Sequence, residues 1–396
     1  MHLTKEEEAV LAGEKGEVPE RSMRLLVKLG DIYGAERMIP IGSAQIAGVS
    51  YKSIGDPGRD FLEDYARLGA KVRVMTFLNP AGMDIEQWEE LKFPEKFAEQ
   101  QMRIMDTFRK MGIIMSASCT PYLAGNLPRY AEHIAWSESS AVSFANSVIG
   151  ARTNREGGPS ALAGAICGVT PDYGYHRDEN RQPHFHIKVN AKLEFSSDFG
   201  ALGWFVGKIV KDKIPYFSGI GDAAGTDELK ALGAAMAASG AVALYHAEGL
   251  TPDARWAKKE GLQTVDFGEK ELKETYAKLS PAREPDLIFI GCPHASLKEI
   301  AAVAGLVEGK HLKKPLWVCT SRVMKDAARR MGFAAIIEKA GGKIVADTCM
   351  VVAPIEEMGY KTTGVNSGKA ASYLPGHCKQ NVMFGSTEDL IEAALK

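Results

Sequence analysis

Short, β-rich apolar runs alternate with amphipathic helical stretches along most of this chain. That alternation is the strongest constraint on its fold. Parallel strands cannot be joined by a tight turn and need a crossover, usually a helix. A chain that writes strand, helix, strand, helix therefore builds mainly parallel sheets covered by helices, an α/β fold. In the first half, strands are expected at 37–41, 71–77 and 112–117. Helices are expected at 59–68, ending at Gly69, and at 94–110, ending before Gly112. Thr4 and Glu7 have capping-box spacing, so the acidic N-terminus reads as a helix that Gly13 ends.

In the second half, Thr226-Asp227-Glu228 opens a helix to 239, with strands at 241–245, 286–290, 316–319, 343–346 and 350–352. Helices at 296–306 and 321–331 separate the later strands. A length of 396 residues suggests about two to three domains. The best-marked break is Gly219–Gly225. It divides the chain into an N-terminal α/β region, 1–225, and a C-terminal doubly wound α/β region, 226–396.

The charge balance excludes one class of partner. With 48 Lys+Arg against 50 Asp+Glu, the net charge of −2 gives nucleic acid no bulk attraction. A hydrophobic content of 45% excludes disorder as the main state. The longest uncharged stretch, 231–246, is too short to span a membrane. The acidic start does not read as a signal peptide. A cytoplasmic location is expected, with the six cysteines reduced.

Three cysteines share a context. Cys119 follows GIIMSAS, Cys292 follows DLIFIG and Cys349 follows KIVADT, each just past an apolar β run. Ligands of open α/β sheets bind at that carboxyl edge. Three thiolates converging there would hold a cubane cluster and leave one iron open. The same residues also suit plain packing, because free cysteine behaves as a small buried hydrophobe. Cys319 ends the run PLWVC in a similar way, and no CxxC pair is present.

The segment 133–171 is dense in small and polar residues, yet carries Trp136, Phe144 and Val148, so it reads as closely packed rather than as a linker. Within it, Ser137-Glu138-Ser139-Ser140 offers hydroxyls and a carboxylate to a polar ligand, or an N-cap to a helix from Ala141. Ser160, after Gly157-Gly158-Pro159, reads as a second N-cap. Arg152 and Arg155 stand just before a pair of glycines, Gly157-Gly158, and suit either an anionic ligand or an internal ion-pair network with Glu156. Asn366-Ser367-Gly368-Lys369 lacks P-loop spacing but can hold an anion. His184 and His186 alternate on one face of a strand, and a metal site there is conceivable. His294 stands two residues after Cys292. GxSxG, HExxH and GxGxxG are all absent, which removes the usual support for hydrolase, zincin and nicotinamide chemistry.

Together, ASCTPYLAGN, HIAWSESSAVSFANSVIGARTNREGGPSALAGAICG, TPDYGYH, GCPHASLKE, DTCMVVAP and TGVNSGKAASYLPG resemble the aconitase X family over nearly the whole chain. Within it the likeness is to the archaeal branch that dehydrates (R)-5-phosphomevalonate to trans-anhydromevalonate 5-phosphate in a mevalonate route to isoprenoids. The resemblance implies an aconitase-like fold of several α/β/α units around a cluster-binding cleft. It implies a [4Fe–4S] cluster on Cys119, Cys292 and Cys349, with Cys319 left to packing. It implies substrate contacts at Gly48, Val49, Ser50, Asn79, Pro80, Glu138, Ser139, Gly368 and Lys369. It further implies a separate small subunit, which is expected to supply the general base, so the chain alone is expected to be inactive or nearly so.

Three other readings compete. Relatives of the family act on cis-3-hydroxy-L-proline. Some aconitases become RNA-binding regulators, which the net charge disfavours. A purely structural α/β protein would treat all its cysteines alike.

Overall fold

The computed structural model describes residues 1–221 and 224–396. Among the described residues the strands form four sheets. Their pairings are parallel except for Met38–Pro40 against Val169–Pro171. The first large sheet runs Met75–Leu78, Ser43–Ile46, Ala135–Trp136. The second runs His246–Ala247, Pro215–Ser218, Phe185–Val189, Gln263–Phe267. The third runs Lys343–Ala346, Leu316–Thr320, Leu287–Ile290, Thr362–Val365, Asn381–Phe384. In each of these three sheets the earliest strand in sequence lies inside, with later strands on both sides. The winding direction reverses at that strand, and a crevice opens beyond its carboxyl end.

The helices follow from their sequences. Glu95–Lys110 buries Phe97, Gln101, Ile104, Met105 and Phe108 on one face and carries Arg109 and Lys110 in its last turn, where cations suit the helix dipole. Thr4 and Glu7 form the expected capping box of Lys5–Leu11. Ser296 and Ser321 cap Leu297–Val307 and Arg322–Arg330. No helix of the described residues is long and apolar enough to cross a membrane.

Several expected elements differ. The run 112–117 makes only a bridge from Ile114 to Phe77, and Ala117 then turns into the left-handed region at φ 38°. The run 350–352 is a turn, not a strand. Its carbonyls are held by side chains, with Cys378 Sγ donating to Met350 and Val351 and Ser50 Oγ donating to Val352 at 2.8 Å. The strand expected at 241–245 is displaced to His246–Ala247, because Ala241 ends the preceding helix in the left-handed region at φ 67°. Ser160 lies inside Gly158–Cys167 rather than before it, and its hydroxyl accepts from the Gly157 N–H at 2.9 Å. His184 and His186 take separate partners, the Ile214 N–H and Ser218 Oγ. The division expected at 225/226 falls between Pro215–Ser218 and His246–Ala247, which pair in one sheet. Asp222 and Ala223, inside the expected break, lie outside the described residues.

Two glycines respond oppositely to a methyl group. Gly291 follows the central strand of the third sheet at φ 102°, and a Cβ there would lie 2.1 Å from the Cys319 carbonyl oxygen. Gly305 sits in a helix with nothing within 4 Å of such a Cβ. Gly291→Ala is expected to cost more than about 2 kcal/mol. Gly305→Ala is expected to add about 0.5–1 kcal/mol, through lower entropy of the unfolded chain. Thermal melts of the two variants beside the parent chain check both signs.

Candidate active site

The carboxyl ends of the first and third sheets face each other across one cavity of about 340 Å³. From the first sheet, Ala47 follows Ser43–Ile46, Asn79 follows Met75–Leu78, and Glu138 and Ser139 lie just beyond Ala135–Trp136. Cys119 stands beyond the bridging segment at Ile114. From the third sheet, Gly291 and Cys292 follow Leu287–Ile290, and Cys349 lies beyond Lys343–Ala346. Lys369 enters the helix after Thr362–Val365, which Ser367 caps by accepting from the Ala370 N–H at 3.1 Å.

Backbone contacts hold the two edges in register. The Cys349 N–H donates to the Ala81 carbonyl at 3.1 Å, beside a parallel bridge from Ala81 to Thr348. Wholly buried Gln101 donates to the Val49 carbonyl and accepts from the N–H groups of Tyr51 and Gly82. His294 joins three loops. Its backbone N–H donates to Cys119 Sγ at 3.2 Å, and its Nε2 bonds the Thr348 carbonyl at 2.9 Å. A carbonyl only accepts, so Nε2 carries the proton and Nδ1 accepts from Ser118 Oγ. Burial pushes this imidazole down to about 4, so it is neutral at ordinary pH.

One ion pair crosses the cavity. Lys369 Nζ, on a residue 5% exposed, bonds Glu138 Oε1, on a residue 6% exposed, and also donates to Ser140 Oγ at 3.1 Å. Glu138 further accepts from Ser140 Oγ at 2.6 Å and the Ala141 N–H at 2.7 Å, capping the helix that begins at Ser139. Burial alone would raise the Glu138 carboxyl, but Lys369 and these donors hold it below the usual carboxylate range. Burial would likewise lower the Lys369 ammonium. The Glu138 carboxylate outweighs that and holds it well above its ordinary value. The pair is therefore ionised.

Three cysteines line this one cavity, a donor set made of thiols. Burial pushes Cys119, Cys292 and Cys349 up to about 12, so each stays a thiol unless a metal displaces its proton. Among the described residues, no three His, Cys, Asp or Glu side chains stand close enough to share one ion. A lone zinc would need its sulfur ligands at about 2.3 Å. Iron–sulfur clusters are held by cysteine thiolates, the donor type that these three residues offer. The other cysteines stand elsewhere. Cys319 is wholly buried within a strand, Cys378 bonds loop carbonyls, and Cys167 ends a helix of the first region.

Of the residues named from the sequence, Asn79, Cys119, Glu138, Ser139, Cys292, His294, Cys349 and Lys369 line the cavity, as does Arg155. Gly48 lines an adjoining apolar cavity of about 390 Å³. Val49, Ser50, Pro80 and Gly368 do not line the cavity; the first two engage Gln101 and the Val352 carbonyl. The two arginines part company. Arg152 is buried against Asp253 and Asp178, away from Glu156, whereas Arg155 is exposed and lines both cavities. Tyr373 and His377 also line the main cavity and escaped the sequence reading. Their spacing of four and eight from Lys369 was the available signal, since such residues share one helix face.

Comparison with known proteins gives the family. The chain matches the family models described as aconitase X first domain over residues 1–179, second domain over 183–277 and third domain over 285–396. A relative from Methanocaldococcus jannaschii, named phosphomevalonate dehydratase large subunit, is 57% identical and covers 99% of this chain and 100% of its own length. One from Pseudomonas aeruginosa, named cis-3-hydroxy-L-proline dehydratase, is 34% identical and covers 98% of this chain but 69% of its own length. The crystal structure of Thermococcus kodakaraensis aconitase X in its holo-form matches with a TM-score of 0.94 and 48% identity over 100% of both chains. With its whole length matched in order and its site assembled from the same segments that carry the resemblance, this chain belongs to the aconitase X family.

Proposed function

We propose that this chain is the large, cluster-bearing subunit of a hydro-lyase that removes water from (R)-5-phosphomevalonate, giving trans-anhydromevalonate 5-phosphate. The observation that carries the reading is the single cavity holding three cysteines opposite a buried lysine–glutamate pair. The substrate follows the relative that is 57% identical and bears that activity in its name, while the hydroxyproline relative is more distant at 34%. "Large subunit" implies a small one, and the general base is assigned to that partner.

The reaction takes a proton beside the carboxylate and expels the neighbouring hydroxyl. Hydroxide is a poor leaving group; Cys119, Cys292 and Cys349 would hold a [4Fe–4S] cluster, which would supply Lewis acidity for its departure. The chain's own residues do the rest. Lys369 holds an anionic end of the substrate, its position fixed by Glu138 and Ser140. Asn79 Oδ1 lies buried at the cavity with no hydrogen-bond partner among the described residues, an acceptor suited to a substrate hydroxyl. Ser139 Oγ donates to Glu138 Oε1 at 3.3 Å and can exchange that bond for a substrate oxygen.

Three outcomes are expected. Iron and acid-labile sulfide, measured after anaerobic purification with the small subunit, should fall to background in Cys119→Ala, Cys292→Ala and Cys349→Ala. Cys167→Ala and Cys319→Ala should keep both, and equal retention in all five would return the cysteines to packing. Lys369→Met leaves the Glu138 carboxylate buried without its partner, which costs about 3–5 kcal/mol. It should both lower the melting temperature and abolish turnover, whereas Lys369→Met/Glu138→Gln should recover the stability but not the activity. Finally, the chain alone should fail to dehydrate (R)-5-phosphomevalonate, and the assembled enzyme should do so. Turnover of cis-3-hydroxy-L-proline instead would overturn the substrate assignment.

A further inference from the structure

We propose that Arg155 receives the phosphate of the substrate and so determines specificity for a phosphorylated hydroxy acid. This rests on the substrate reading above and adds the residue that makes the distinction.

The charges around the cavity lead to it. Lys369 is already paired with Glu138, so the two together contribute no net charge. His294 is buried with both ring nitrogens engaged, and the exposed His377 of the same lining has at most two separate N–H donors and no guanidinium fork. Arg155 lines the same cavity, is exposed, and makes no ion pair among the described residues. A substrate with a carboxylate at one end and a phosphate dianion at the other needs a second cation beyond Lys369. The guanidinium fork matches phosphate oxygens bidentately.

The backbone that carries Arg155 is built to present it. On one side, the Thr153 N–H donates to Asn146 Oδ1 at 3.1 Å and Asn154 Nδ2 donates to the Tyr173 carbonyl at 3.1 Å. On the other, the Glu156 N–H donates to the Trp136 carbonyl at 3.0 Å and the Gly157 N–H donates to Ser160 Oγ at 2.9 Å. Both flanks are fixed while the side chain between them stays uncommitted. Three residues earlier, Arg152 shows the structural alternative, buried and neutralised by Asp253 at 3.2 Å. Arg155 lines both cavities together with Ala47, and the apolar one together with Gly48, which stands in the left-handed region at φ 78°.

The test is calorimetric binding to the assembled, cluster-loaded enzyme, using (R)-5-phosphomevalonate and unphosphorylated mevalonate, with melting temperatures to confirm folding. In Arg155→Gln the Kd for phosphomevalonate should rise about 10- to 100-fold, the effect of losing a charge-assisted pair, with Arg155→Lys between. The Kd for mevalonate should stay within about twofold, because the partner of Arg155 is then missing. KM should follow Kd while kcat changes little. Equal weakening toward both ligands, or no weakening toward either, would overturn the proposal. Parent enzyme that binds phosphomevalonate through Arg155 yet fails to dehydrate it would overturn the reaction assigned above and leave the phosphate site standing.

Discussion

Asp84 is a carboxylate with no access to water, and the joining of the two sheet edges depends on how it is satisfied. It is 0% exposed and accepts from five donors, the N–H groups of Glu86, Gln87 and Ala346 and the side chains of Arg322 and Lys325. Two donors are local to the first region; three come from the third. Burial would raise this carboxyl, but Lys325 and Arg322 more than offset that and keep it ionised. A charge buried this way is costly unless every lone pair is met, so it tolerates only one docking of the third sheet on the first. Ala346 is the last residue of its strand, three before Cys349. The same contact that satisfies Asp84 therefore sets where that cysteine emerges.

The site was legible in the sequence wherever chemistry coincided with a strand end. Cys292 and Cys349, Asn79 and Glu138 each follow an apolar run, and parallel sheets gather such ends along one edge. The same rule could not separate Cys319 from the other cysteines. Cys319 is inside its strand, Leu316–Thr320, while Cys292 lies two residues past its own, and that offset of a few residues moves a thiol from core to cavity. Arg152 and Arg155 were equally ambiguous, because what distinguishes them is Asp253, 101 positions from Arg152 in sequence. The apolar run at 350–352 looked like a strand for a related reason. Its carbonyl partners are the side chains of Ser50 and Cys378, distant in sequence and invisible to local pattern. Local periodicity reports which face is apolar; it does not report who completes a backbone group.

The second sheet supplies no lining residue to the cavity, yet its helices brace the residues that do. Lys230 reaches the His294 carbonyl at 3.3 Å, and Asp227 accepts from Ser296 Oγ at 2.8 Å, steadying the segment after Cys292. On Ser196–Val210, Gly200 meets Gly368 so closely that a Cβ on Gly368 would lie 2.5 Å from the Gly200 carbonyl oxygen. Lys369 is the next residue. The depth to which its ammonium penetrates is thus gauged by a hard stop between two bare backbones, one of them in a unit that adds no described residue to the cavity lining. A single methyl group on either surface would act as a shim, withdrawing the cation from its carboxylate without altering any group that takes part in the chemistry.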